Sequence, residues 1–325
     1  MLTKELLQNK KVLLRADLDV TLKDGQVENN YRLRALLPTL KFCLQYAQKT
    51  VIIGHLGRPT GEDPSLSLEP VRKCLISLLN QDIPLLVSGI SPGERWAGEF
   101  PLALTENLRF DSREEKLDRG FAENLADGAD LYIYEAFATY HPCTSLSLIP
   151  ELLPTTTGFR FDEEVQTLQK VLTNPLHPTL LLASGAKPDK LEIINQISPK
   201  FDQVLLGGLL AKPEARTPDG LDLNEVTTSL FLSEIAKAKT IVLNGPLGLY
   251  EDGIHTTATK AVLQALSDSS ALTIVGGGDT LAAIPSLGFN YASFGFVSTG
   301  GGAMLDFLAT STHPLLGVLK NAKLN

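Results

Sequence analysis

The sequence predicts an α/β protein made of two doubly wound, mostly parallel sheets. Three observations predict it: a length of 325 residues, short apolar runs alternating with amphipathic stretches, and glycine or polar clusters directly after those runs. At about 150 residues per domain the length asks for two cores. A composition that is 43% hydrophobic and 20% charged supplies apolar surface for both.

The apolar runs are Val12–Leu14, Val51–Ile53, Leu131–Tyr134, Leu180–Ala183, Val204–Leu206, Ile241–Leu243 and Thr273–Val275. Each is continuous rather than alternating, as in strands covered on both faces. Tyr31–Ala47 places Leu33, Leu36, Leu37, Leu40, Leu44 and Ala47 at three-four spacing, which gathers them on one helix face. Asp162–Thr173, between Gly158 and Pro175, reads as a helix joining the two halves. In such folds ligands sit beyond the carboxyl ends of the strands. The clusters at those ends are Gly54–Gly57, Ser184–Lys187, Gly207–Gly208, Asn244–Gly248, Gly276–Thr280 and Ser298–Gly302. One glycine turn is as often structural as functional, but a series of them points to ligand-binding ends. No G-x-x-x-x-G-K-[ST] loop is present and no G-x-G-x-x-G opens the first strand-helix unit, so P-loop and dinucleotide folds lose their best signatures.

A net charge of -8 argues against a nucleic-acid partner, which needs a basic face. The cysteines Cys43, Cys74 and Cys143 are odd in number and lack C-x-x-C spacing, so neither a disulfide framework nor a zinc site is expected, and a reducing cytoplasm fits. No apolar run approaches the ~18 residues of a membrane span, and Met1–Lys10 is too polar for a leader.

Chemistry concentrates at the strand ends. In the first half these ends carry Arg15, Asp17, Arg32, His55, Arg58 and Arg109. Four arginines converging with a histidine would repel one another without an anion, and arginine grips phosphate or carboxylate bidentately. The same residues would also serve as separate surface ion pairs. In the second half Gly276-Gly277-Gly278-Asp279-Thr280 precedes a helix over Leu281–Ile284, where backbone N–H groups can hold phosphate and a carboxylate can hold hydrated magnesium. Asp279 would equally serve as a helix N-cap. Lys187, in S-G-A-K, would set its ammonium against a transferring phosphoryl group or simply remain solvated.

Taken in order, these segments resemble phosphoglycerate kinases over essentially the whole chain. R-A-D-L-D-V at Arg15–Val20 is similar to the family's R-V-D-F-N-V, and G-H-L-G-R-P at Gly54–Pro59 to its S-H-L-G-R-P. E-N-L-R-F at Glu106–Phe110 and S-G-A-K at Ser184–Lys187 also match. L-N-G-P-L-G-L-Y-E at Leu243–Glu251 is similar to W-N-G-P-x-G-x-F-E, and G-G-G-D-T at Gly276–Thr280 and S-T-G-G-G-A at Ser298–Ala303 are identical to family motifs.

The resemblance implies two Rossmann-like domains. Residues 1–160 would bind phosphoglycerate, with 311–325 folding back onto them; 161–174 would form the interdomain helix and 175–310 the nucleotide domain. It assigns Arg15, Arg32, His55, Arg58 and Arg109 to a basic patch for the phosphoglycerate and Asp17 to its hydroxy-carboxylate part. Arg32 and Lys187 would be catalytic. Lys187, Lys190, Gly207, Asn244, Glu251, Gly276, Gly277, Gly278, Asp279 and Thr280 would hold the nucleotide, Glu251 at the ribose and Asp279 at magnesium. The implied reaction moves a phosphoryl group between 1,3-bisphosphoglycerate and ADP, giving 3-phosphoglycerate and ATP, with Mg2+ as cofactor. A cytoplasmic, glycolytic or gluconeogenic monomer is implied, with no nucleic-acid or membrane partner.

Departures are equally specific. Pro142 stands where the family's A-H-R motif has arginine, Asp19 replaces asparagine, and Glu135 and Ala138 alter N-D-A-F-G. S-G-A-K-P-D-K is one residue shorter than its family counterpart, which bears on Lys190. Gly207–Ala211 runs almost directly into Gly220, skipping a block that builds much of the adenosine pocket. The base is therefore expected to be poorly enclosed, unless Lys212–Asp219 folds into a short replacement wall. Two rival readings stand beside the kinase: a kinase for another carboxylic acid, and a non-catalytic protein that binds a phosphometabolite.

Overall fold

A strand buried on both faces needs apolar side chains throughout, and its polar end residues can still pair through the backbone. Six of the seven predicted runs accordingly extend by one or more residues, while Leu131–Tyr134 keeps its bounds. A computed structural model of the chain describes residues 2–185 and 190–322. Its strands are β1 (Lys11–Arg15), β2 (Leu22–Lys23), β3 (Gln26–Val27), β4 (Lys49–Ile53), β5 (Leu85–Leu86), β6 (Leu102–Thr105), β7 (Leu131–Tyr134), β8 (Thr155–Thr157), β9 (Thr179–Gly185), β10 (Gln203–Gly208), β11 (Thr240–Asn244), β12 (Leu272–Gly276) and β13 (Phe296–Val297).

The chain divides into two units, Met1–Val165 with His313–Asn325, and Gln166–Thr312. The first holds a parallel sheet ordered β5-β6-β4-β1-β7-β8 and the small antiparallel hairpin β2-β3. The second holds a parallel sheet ordered β10-β9-β11-β12-β13. Strand order reverses around β1 in one sheet and around β9 in the other, and a crevice for ligands opens at such a switch point. In the first unit Val12 and Leu14 of β1, Ile52 of β4 and Leu104 of β6 are buried with Leu33, Leu36 and Leu40 of the helix Tyr31–Tyr46. That helix stops one residue short of the predicted Ala47, whose backbone is already extended.

The helix predicted over Asp162–Thr173 begins earlier, at Phe159. Its first N–H groups find acceptors far away in sequence. Glu135, which follows β7, accepts from Arg160 N at 3.1 Å and Phe161 N at 3.0 Å, and Thr39 Oγ1 accepts from Phe159 N at 3.0 Å. Thr39 in turn donates to Glu135. The carboxylate sits so close that a Cβ on Gly158 would lie 2.2 Å from Glu135 Oε2, so only glycine fits there. The division between the units, at Val165, falls within this helix. Near the other end of the chain, buried His313 lies 3.1 Å from Phe137 O and packs against the Phe137 and Phe161 rings. Burial pulls its pKa down to about 4, so the ring packs as a neutral group.

Burial pushes the Glu135 carboxyl up to about 7, against the hydrogen bonds that favour its charged form. The folded pKa lies above the unfolded one, so the native state holds this proton more tightly, and the associated stability is complete below about pH 4.5 and lost as pH rises towards 7. The loss is on the order of 3 kcal/mol at most. Chemical denaturation across that window should show this slope in the wild type and a flatter one in Glu135→Gln; equal slopes would contradict it.

Candidate active site

The first unit builds a basic site from the ends of β1 and β4. Parallel pairing sets Arg15 beside Ile53, so the residues that follow each strand emerge together. Arg15 is fully buried, with Nε donating to Ser145 Oγ at 3.0 Å, one terminal nitrogen to Ala16 O at 2.6 Å, and the other lying 2.5 Å from His55 Nδ1. Its charge is answered through Ser145, which donates to buried Glu114 at 2.6 Å. A guanidinium only donates, so His55 Nδ1 accepts and the ring hydrogen sits on Nε2. Burial, followed by Arg15, Arg109, Arg32 and Arg58, holds the His55 pKa well below its ordinary value. All four arginines therefore act on one neutral ring.

The remaining members differ in freedom. Arg32, at the start of its helix, donates to Asp19 O and approaches Asp17 Oδ1 at 3.4 Å. Asp17 is 7% exposed, its Oδ2 has no hydrogen-bond partner among the described residues, and burial raises its pKa against the attraction of Arg32. Asp19, the acidic departure, has Oδ1 accepting from Gly57 N at 2.8 Å, so its charge fixes the loop after β4. Arg109 donates to Gly57 O at 2.7 Å and pairs with Glu115 at 3.2 Å. Arg58 is exposed and has no ion pair among the described residues, and Pro142 is exposed as well. The grouping is therefore Arg32, Arg58 and Arg109 around His55, with Asp17 beside Arg32 and Arg15 beneath the ring. Arg15 presents no surface to a ligand and acts through His55. Sequence reading missed Glu114 and Ser145, whose separation from Arg15 left no local signal.

The second unit builds its site from glycine-started helices. Gly277, not Asp279, occupies the N-cap of the helix Gly278–Ser286, in a backbone conformation with φ of 107°. Asp279 is thereby left exposed in the first turn. The helix Gly301–Thr310 starts beside it: a Cβ on Gly301 would lie 2.4 Å from Gly277 Cα. Among the described residues neither helix has a side-chain cap, so two adjoining N-termini offer N–H groups to an anion. Thr280 is buried, and its Oγ1 accepts from Gly245 N at 2.9 Å; Asn244 is buried and donates to Gly301 O at 3.0 Å. These two therefore brace the loops. Gly207 is buried against Leu247, where a Cβ would come within 2.3 Å, and Gly276 lies against Met304. Glu251 is exposed in the turn Tyr250–Asp252.

Lys190 donates to Ser184 O and to Asn244 O at 3.2 Å, at the ends of β9 and β11. Burial lowers its pKa to about 8, against the attraction of Asp279. Lys187 lies outside the described residues.

A sequence profile of the phosphoglycerate kinase family matches residues 2–213 and 212–311. A phosphoglycerate kinase of Streptomyces avermitilis is 34% identical over 396 aligned positions, covering 96% of each chain. One of Geobacter metallireducens is 32% identical, covering 97% of each. Among solved structures, phosphoglycerate kinase from Pyrococcus horikoshii is similar with a TM-score of 0.85 at 26% identity, covering 98% of each chain. That from Coxiella burnetii has a TM-score of 0.78 at 28% identity, covering 97% of each. An alignment of 396 positions exceeds the 325 residues of this chain, so that relative carries segments absent here. The two profile matches meet in the loop after β10.

Because Arg15 and Glu114 form a buried pair through Ser145, removing one charge strands the other. Arg15→Met should cost about 3–5 kcal/mol in urea unfolding. Unchanged stability with weakened anion binding would instead make Arg15 a direct ligand contact.

Proposed function

The chain belongs to the phosphoglycerate kinase family, and on that premise we propose that it transfers a phosphoryl group reversibly between 1,3-bisphosphoglycerate and ADP, yielding 3-phosphoglycerate and ATP. The observation that carries the reading is the convergence of Arg15, Arg32, Arg58 and Arg109 on a neutral His55. Such a cluster calls for a multiply charged anion. Arg58, Arg32 and Arg109 would hold the phosphoglycerate, and His55 would donate from Nε2. Asp17 Oδ2, a buried acceptor without a donor, suits the hydroxyl of the acid. A carboxylate is already a nucleophile, so no general base is needed, and charge placement does the work. Arg32 and Lys187 would neutralise the transferring group.

In the second unit the paired N-termini at Gly278 and Gly301 would bind the nucleotide phosphates, with Lys190 as a further cation and Glu251 at the ribose. Magnesium fits this donor set: it is usually held by one or two carboxylates plus phosphate oxygens, and Asp279 is an exposed carboxylate beside a phosphate-binding helix start. When bound it would neutralise charge developing on the phosphates. In this reading residues 1–160 serve the acid and 175–310 the nucleotide. The protein would work as a cytoplasmic monomer in glycolysis, its partners being small molecules.

One observation favours a second substrate. Glu115 already occupies Arg109, and Pro142 supplies no charge, which suits a less anionic carboxylic acid. A coupled assay with 3-phosphoglycerate or glycerate, MgATP and purified protein separates the two. Wild type should turn over 3-phosphoglycerate in preference, and Asp279→Ala and Lys187→Ala should each lose ~10²–10³ in rate. Preference for glycerate would favour the second substrate, and absence of any turnover would leave a binding protein.

A further inference from the structure

The loop after β10, where the resemblance places the relatives' extra block, is closed by its own hydrogen bonds. Pro213–Ala215 forms a single 3-10 turn, Arg216 bridges Leu223, and Thr217 N donates to Asp222 O at 2.9 Å. Residues 212–224 thus make a short hairpin tipped by Pro218, Asp219 and Gly220. It is stitched to the segment that carries Glu251. Leu249 N donates to Leu221 O at 2.9 Å, and Asp222 accepts from Ala258 N at 3.2 Å. The third stitch is His255, whose Nδ1 lies 2.5 Å from Asp252 Oδ2 and whose Nε2 lies 2.9 Å from Asp219 Oδ2.

This third stitch depends on protonation. A neutral imidazole has one donor and one acceptor, whereas an ionised carboxylate only accepts. Both contacts are hydrogen bonds only when His255 is an imidazolium; a neutral ring would turn a lone pair towards one of the carboxylates.

We propose that His255 is a positioning residue for the nucleotide: clamped between Asp219 and Asp252, it fixes the Glu251 turn against the hairpin that replaces the missing block, and nucleotide affinity falls when the ring loses its proton. The proposal rests on reading Glu251 as the ribose contact. The groups facing the ring support it. Hydrogen bonds lower Asp219 and Asp252 to about 2, so both stay ionised. Asp222, the third carboxylate nearby, feels the ring's charge, while burial raises its own pKa. The hydrogen bond to Asp252, then that to Asp219, raises the His255 pKa above its ordinary value. The clamp is therefore complete at low pH and opens as pH rises through that raised value.

Calorimetry of MgADP binding between about pH 6 and 9 tests this. Wild-type affinity should fall about fivefold across the range, at the low end for coupling between two sites. His255→Gln and Asp219→Asn should bind weakly already at pH 6, with a profile flatter than that of the wild type, the remaining slope being that of Lys190, whose pKa lies at about 8. His255→Arg, charged throughout, should remain tight at high pH. In turnover the loss should appear in KM for MgATP rather than in kcat. A wild-type pH profile retained by both His255→Gln and Asp219→Asn overturns the clamp. Unaltered MgADP affinity in Glu251→Ala overturns it together with the ribose reading, whereas weakened binding in Glu251→Ala with intact profiles in the clamp variants removes the clamp alone.

Discussion

Everything in the first unit's site depends on one hydrogen bond, from the buried guanidinium of Arg15 to His55 Nδ1. It settles the tautomer of His55 and points a single N–H donor from Nε2, while burial, then Arg15 and the other arginines, keeps the ring neutral. Were the ring charged, it would add a fifth positive charge to a site that already holds four arginines. The bond is possible because Arg15 is neutralised from behind by Glu114 through Ser145 rather than by a carboxylate in the site. Asp17 and Glu115 balance Arg32 and Arg109 from the side, and Arg58 has no ion pair among the described residues. The resulting field attracts an anion.

The second unit solves the same problem with backbone instead of side chains. Two helices start within a Cβ's width of each other at Gly277 and Gly301, and the lack of side-chain caps leaves their first N–H groups for a ligand. Asn244 and Thr280 hold those starts in place. The glycine-rich motifs are in this sense packing requirements first, and tight packing of the two helix starts brings their first N–H groups together.

Much of this was legible in the sequence. Strands appeared as continuous apolar runs, and the glycine clusters marked the carboxyl ends of those strands. The edge strands Leu85–Leu86 and Phe296–Val297 escaped because two residues leave no periodicity. The start of the helix at Phe159 escaped because its cap, Glu135, lies far back in the chain. Whether Asp279 capped its helix or stood free was undecidable until the backbone showed Gly277 in the capping position. Residues of one type also separated into different roles: Arg15 and Arg58 look alike as arginines after strands, yet one is wholly buried and the other exposed. Partners distant in sequence, Ser145 and His55 among them, decide that difference, and no local pattern encodes them.

The first unit's arginine cluster is proposed as an anion site for a phosphorylated acid. Isothermal titration of the wild-type protein with 3-phosphoglycerate at two ionic strengths tests it directly. The predicted result is saturable one-site binding that weakens clearly as salt rises, because exposed charges such as Arg58 are screened. Absence of binding, or binding indifferent to salt, would contradict it.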